Sequence, residues 1–307
     1  MQATHTVPKN NKGFFHQSAS DMSFDIVRWI LVAFAVTICV YPFVYVFSVA
    51  ISDAKVVNQG KVWLLPVDID FSTMKMVMRY QELWTSYLNT SYYTIVGTVC
   101  NIAMTCLAAY PLSRPRFFLR RKLNFLLAFT MYFSGGLIPT YIVVTSLGLY
   151  NTRAAMIMPV LVSAYNVMIC RSAFETIPED LFEEAALEGA NDFRILWTIA
   201  IPLVKPTLAV LTLYYAVARY NDFFNAMLYI GKKELQPLQL FLRKILLLSS
   251  SEILQTSGDI TAVAAAAQST LQIRYVCIVL SVIPILIICP FIQKYLVKGT
   301  MLGAVKG

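Results

Sequence analysis

Residues 177–206 read "IPEDLFEEAALEGANDFRILWTIAIPLVKP" (Ile177–Pro206), and they fit poorly with the chain around them. The 307 residues are 58% hydrophobic and 14% charged, with a formal net charge of +8. Yet Glu175, Glu179, Asp180, Glu183, Glu184, Glu188 and Asp192, seven of the seventeen carboxylates, fall within eighteen residues. Taken physically, Pro178 to Ala190 is a short amphipathic helix. Pro178 suits a first helical position, and Glu179 and Asp180 favour the positive end of the helix dipole. Leu181, Phe182, Ala185 and Ala186 supply small and apolar contacts, and Gly189 fits a helix stop. Asn191 or Asp192 then caps a second helix, "FRILWTIAI", which Pro202 and Pro206 interrupt. So acidic a helix is a poor lipid anchor, because anchors are usually basic. It suits a groove on another protein better. A solvated loop helix without a partner is the plain alternative.

The surroundings are those of a membrane protein. Mean hydropathy is +0.62, and six apolar stretches reach or approach the length that crosses a bilayer as a helix. They are residues 26–51, 89–112, 124–147, 154–174, 207–230 and 275–297. The expected fold class is therefore an all-α membrane protein with six transmembrane helices. Residues 1–25 form a polar tail, residues 26–307 one membrane domain, and residues 175–206 a loop within it. The tail has no apolar core of the kind a cleavable signal needs, so the first span should stay as a membrane helix. The positive charge does not point to nucleic acid, since basic residues in such chains flank the spans and set orientation. "SRPRFFLRRK" (Ser113–Lys122) carries five basic residues and no acid. That places the loop after the second span inside, and with it both termini and the acidic loop. Fourteen of the 25 basic residues then lie inside and ten outside. Within the long outer loop, "STMKMVMRYQELW" reads as a short interfacial helix, and "PLQLFLRKILLL" in the second outer loop has helical spacing. Gly135, Gly136 and Pro139 should bend or loosen the third span, with simple close packing as the equal alternative.

Catalytic chemistry is missing from this pattern. The two histidines, His5 and His16, lie in the tail, and the six cysteines fall inside spans with no CxxC spacing. No GxxxxGK[ST] phosphate loop occurs, nor any nucleophile–base set, so no enzyme activity and no bound cofactor are expected. The polar insert inside a span is "YYAVARYNDFFNAM" (Tyr214–Met227) in the fifth. Ionisable groups there are costly and usually face the bundle or a wet cavity. Arg219 and Asp222 are three apart and can pair on one helix face. Tyr215 and Asn225 share roughly that side, and aromatic-plus-amide surfaces suit sugars. A structural ion pair is the alternative to a substrate pathway. Tyr165 and Asn166 in the fourth span are weaker pathway candidates, better suited to interhelical hydrogen bonding.

The acidic loop resembles the signature of permeases of ATP-binding-cassette (ABC) importers, Glu-Ala-Ala, three residues, Gly, nine residues, Ile-x-Leu-Pro. Glu183 takes the glutamate position, Glu184 replaces the first alanine and Ala185 keeps the second. Gly189 is the glycine, the nine residues begin at Ala190 and include Asp192, and Ile199 and Pro202 close the motif, with Ile201 in place of leucine. "SYLNTSYYTIVGT", "LAAYPLSR", "FSGGLIPTYIVVTSLGLYNT" and "PFIQKYLVKGTMLGAVKG" extend the likeness to carbohydrate-importer permeases of the LplC and YtcP type, over residues 25–307. The resemblance implies the type I ABC importer permease (MetI-like) fold in a bacterial cell membrane. It further implies a second, non-identical permease subunit, two ATP-binding subunits that use ATP and Mg, and an extracellular solute-binding lipoprotein. The loop would be a coupling helix seated in a cleft of the ATPase, its acids pairing with basic groups there. The cargo would be a carbohydrate, moved by alternating access. The rival reading is a self-sufficient channel or secondary transporter. It calls for an inverted repeat with paired broken helices, and none is evident.

Overall fold

A computed structural model describes residues 19–247 and, except for 285, 271–287. The tail up to residue 18, Ala262–Gln268 (which the sequence suggests as the start of the last helix), the end of the sixth stretch and the terminal motif from residue 290 lie outside the described residues. Among those described there is no strand, only an isolated antiparallel bridge between Ser52 and Ile69.

Helix α1 (Ala19–Ile51) contains the unbroken apolar stretch Phe24–Ile51. At 1.5 Å per residue its 28 residues reach about 42 Å, more than a hydrocarbon core requires. From Ile26 to Phe43 its side chains are exposed, and they become buried only at Ser48, Val49 and Ala50. Two short helices, α2 (Ala54–Asn58) and α3 (Ser72–Met78), fill the first outer loop. Asp53 caps the former by accepting from the Lys55 amide at 2.8 Å. The expected interfacial helix is thus α3, and the chain breaks at Arg79–Tyr80 before the next span begins.

That span, α4 (Gln81–Ser113), is the axis of the fold. Its inner face is small and polar, with Asn89, Thr90, Gly97, Thr98, Asn101 and Thr105 all buried. Lipid tails offer helices no hydrophobic drive to associate, so close approach and hydrogen bonds do that work. The expected third span divides into α5 (Arg120–Tyr132) and α6 (Leu137–Ser146), bent by 114°. The bend falls at Gly136, whose φ of 87° only glycine adopts readily, as the glycine pair suggests.

Two later spans depart from the expected ones. Residues 154–174 are not one helix. Two 3-10 turns, Arg153–Met156 and Met158–Val160, precede α7 (Ala164–Glu175) at an angle of 56°. The acidic loop follows, with α8 (Glu179–Leu187), α9 (Asp192–Ile195), a π turn over Leu196–Ala200 and α10 (Ile201–Leu203). The chain then bends by 87° into α11 (Lys205–Tyr220). Residues 207–230 are also divided. Asp222 ends the helix by capping a new one, α12 (Phe223–Tyr229), through the Asn225 amide at 3.2 Å. A 3-10 turn (Lys233–Leu235), α13 (Leu238–Leu247) and α14 (Leu271–Pro284) complete the described chain. Counting each bent pair as one span, five spans are described. The sixth begins with α14.

Two larger cores hold most of these elements, and smaller clusters such as Val144, Ala155 and Tyr229 hold the rest. One joins α4, α7, α8, α9 and α11 through Tyr110, Val167, Phe174, Phe182, Ile195 and Leu211. The other joins the end of α1 to α13 and α14 through Ala50, Leu238, Phe241 and Val276. The fully buried Gln272 stitches the second core. Its amide donates to the Ser52 carbonyl, and its oxygen accepts from Thr73 at 2.6 Å.

Candidate coupling site

Helix α8 is built as its sequence suggests, with one change. Pro178 occupies the N-cap, extended at φ −55° and ψ 136°, and not the first helical position. Glu179 and Asp180 fill the first turn, where the dipole favours them. At the other end Gly189 has φ 81° and donates to the Ala186 carbonyl at 3.0 Å. Ala190 donates to Ala185 at 3.0 Å, which completes a Schellman stop. Of the two candidate caps for α9, Asn191 serves, accepting from the Arg194 amide at 2.8 Å. Asp192 follows as an exposed first residue of that helix.

Phe182 and Ala185 turn inward against Tyr110, Phe174 and Ile195, while Ala190 and Ile199 pack at the edge of the same core. Glu184, Leu187 and Glu188 face out, Leu187 with 89% of its surface exposed, and Pro202 is exposed on α10.

The acids divide into two groups. Glu175 pairs with Arg120 at 2.5 Å and Arg171 at 2.7 Å, Glu179 with Arg114 at 3.2 Å, and Glu183 with Arg116 at 2.5 Å. Three of the seven carboxylates are therefore held by this chain's own basic residues. Asp180, Glu184, Glu188 and Asp192 form no ion pair among the described residues. The basic loop, read from the sequence as a marker of orientation, is also the brace of the acidic helix. Five basic residues on one short loop and seven carboxylates on another, both read as lying on the same side, were the available signal.

These pairs differ in weight. Arg116 and Glu183 have side chains 70% and 51% exposed, and such pairs contribute little. Arg114 is different, with a side chain only 11% exposed. Its guanidinium donates to the Phe174 carbonyl at 2.7 Å and lies 3.8 Å over the Phe182 ring. Burial lowers its pKa below the usual guanidinium value, and the Glu179 carboxylate opposes that fall. Arg114 thus joins the end of α4, the end of α7 and the start of α8. Beside it a cavity of about 440 Å³ opens between Tyr110, Phe117, Glu179 and Phe193.

The polar insert of the fifth span is arranged otherwise than expected. Arg219 and Asp222 form no ion pair. Asp222 accepts instead from Asn225, at 3.2 Å from its amide and 2.9 Å from its side chain. Arg219 and Tyr215 are turned into the helix packing, 6% and 5% exposed. The Tyr215 hydroxyl shares a 2.8 Å hydrogen bond with Thr105. Asn166 is buried near the start of α7, and Tyr165 beside it is 57% exposed. The six residues do not form one surface.

A family model described as the inner membrane component of binding-protein-dependent transport systems matches residues 101–302, which include the acidic helix and its brace. The chain belongs to this family of transport permeases. The polygalacturonan/rhamnogalacturonan transport system permease protein YtcP of Bacillus subtilis (strain 168) is 35% identical, over 92% of this permease and 98% of its own length. Protein LplC of the same organism is 34% identical over 95% and 98%. Among solved structures, a chain of a bacterial ABC transporter that imports the acidic polysaccharide alginate is 39% identical, with a TM-score of 0.84 over 91% of this permease and 98% of that chain. The likeness to LplC- and YtcP-type permeases, read from stretches spread over residues 25–307, is borne out, and so is the all-α, MetI-like permease fold.

Proposed function

We propose that this permease imports a carbohydrate, an oligosaccharide in particular, as one membrane subunit of a bacterial ABC importer, and that α8 is where ATP hydrolysis reaches it. The observation that carries this reading is the two-sided character of α8. One face is fixed to the membrane helices by Phe182, Ala185 and the Arg114 brace. The other presents Leu187 with four carboxylates of the loop that form no ion pair among the described residues. A helix anchored on one side and bare on the other suits a partner with an apolar groove rimmed by basic groups.

The basic loop Ser113–Lys122 supports a cytoplasmic position for this face and for both termini, by the positive-inside rule. The ATP-binding subunits, two per complex, hold ATP and Mg there, and this chain performs no catalysis. A second, non-identical permease completes the pathway, and an extracellular lipoprotein delivers the sugar. When the ATP-binding subunits close, they displace α8. The same backbone runs into α7 on one side and α11 on the other, so both spans are driven together. Of the pathway candidates, Tyr165 and Asn225 keep surface available for a sugar, whereas Tyr215 and Arg219 would act from within the packing.

Co-purification tests this. The tagged chain, solubilised from its own membrane, should bring down an ATP-binding subunit and a second permease. Recovery of this chain alone, with transport activity in liposomes, would favour the self-sufficient channel or carrier.

A further inference from the structure

The outer half of the fourth span is not α-helical, which is costly at membrane depth. Through the two 3-10 turns of residues 153–160 the carbonyls of Met156, Ile157, Val160 and Leu161 point away from the helix ladder. An unsatisfied carbonyl in lipid costs several kcal/mol, so irregular backbone survives there only where protein groups bind it.

Arg219 and Asn101 bind it. From the end of α11, Arg219 donates through Nη1 to the Met156 carbonyl at 2.6 Å. Its Nη2 reaches Ile157 at 3.2 Å and Val160 at 2.9 Å. The side-chain oxygen of Asn101, on α4, accepts from Nε at 3.0 Å and Nη2 at 2.9 Å. The Asn101 amide in turn donates to Val160 at 2.8 Å and Leu161 at 2.6 Å. All these acceptors are neutral, and among the described residues Arg219 joins no ion pair. A cation here is held by backbone carbonyl dipoles and an amide oxygen, with no carboxylate among its hydrogen-bond acceptors. Gly97 makes room for it, since a Cβ at that position would lie 3.1 Å from Nε.

The geometry points to Arg219 as a positioning residue of the transport cycle, the far-end tie of the moving unit. Spans four and five are already joined at one end by the loop that carries α8. Val167, Leu208 and Leu211 pack them together as far as mid-span, but a unit joined only so far can splay at its outer end. Arg219 joins the opposite ends, and Asn101 fixes both to α4. The result is a closed frame, in which a displacement of α8 must appear at residues 153–161, roughly one 16-residue helix (about 24 Å) away. This rests on the reading of α8 as the site where ATP hydrolysis is felt. Lysine cannot replace Arg219, because a single ammonium cannot fork to three carbonyls and an amide.

Hydrogen-exchange mass spectrometry on the whole importer tests it, comparing nucleotide-free complex with complex trapped by ATP and vanadate. In the unaltered complex, trapping should change exchange by about tenfold or more both in residues 176–191 and in residues 153–161. With Arg219→Lys, the response at 176–191 should persist and that at 153–161 should fall below about twofold. Gly97→Ala leaves the guanidinium chemically intact and a good helix former in α4, and it should give the same split, less completely. A merely structural Arg219 would lower the yield of complex without separating the two responses. If both variants keep the full outer response, the tie is overturned. If residues 176–191 do not respond even in the unaltered complex, the failure lies with the reading of α8.

Discussion

Arg114→Ala should leave an assembled importer that hydrolyses ATP and transports almost nothing. The substitution removes a nearly buried cation from above the Phe182 ring, and with it the pair to Glu179 and the hydrogen bond to the Phe174 carbonyl. Glu179 has a side chain 38% exposed and can return to water, so its share is discounted. The carbonyl and the ring cannot. The loss of α8 docking comes to about 2–3 kcal/mol, and at 1.4 kcal/mol per factor of ten uptake per complex falls roughly 30- to 140-fold. Arg114→Lys keeps the charge without the planar stack and should fall between the two. Parallel measurement of uptake and of ATP hydrolysis per purified complex decides this. Uptake within twofold of the unaltered complex would remove Arg114 from the account.

Gly189→Pro should have the largest effect of any single change in the loop. The residue has φ 81°, which proline's ring forbids, and it donates the hydrogen bond to Ala186 that proline lacks. The penalty is about 3 kcal/mol or more. Nothing lies within 4 Å of a Cβ built at this position, so the effect comes from the backbone and not from crowding. Asparagine, alanine and proline should therefore form a graded series, with alanine costing about 1–2 kcal/mol. Membrane levels should stay constant along the series while uptake declines. A flat uptake profile would mean that the turn after α8 need not keep its shape.

Much of this arrangement could be read in the sequence because its causes are local. Gly189 and Gly136 occupy positions that need positive φ, and glycine marks such positions openly. The acids at the start of α8 follow the dipole of their own helix. The apolar stretches follow the thickness of a bilayer. What could not be read depends on pairs far apart in the chain. Arg114, Arg116 and Arg120 served for topology, but their partners stand 55 to 67 residues away. Arg219 suggested Asp222 by spacing, whereas its partners are the carbonyls of another span, a choice forced by the broken helix at 153–160. The break at Asn221–Asp222 had a visible signal. An aspartate three residues before Asn225 is a helix cap, and an apolar run concealed it.

The central claim is that the bare face of α8 meets the ATP-binding subunit, and Leu187, at 89% exposure, is the place to ask. A photo-crosslinking amino acid at position 187, activated in intact membranes, should form an adduct with an ATP-binding subunit. The same probe at Leu147, an exposed position at the opposite end of the third span, should form none. Adducts from 187 that contain only lipid, the second permease or the extracellular lipoprotein would contradict the account.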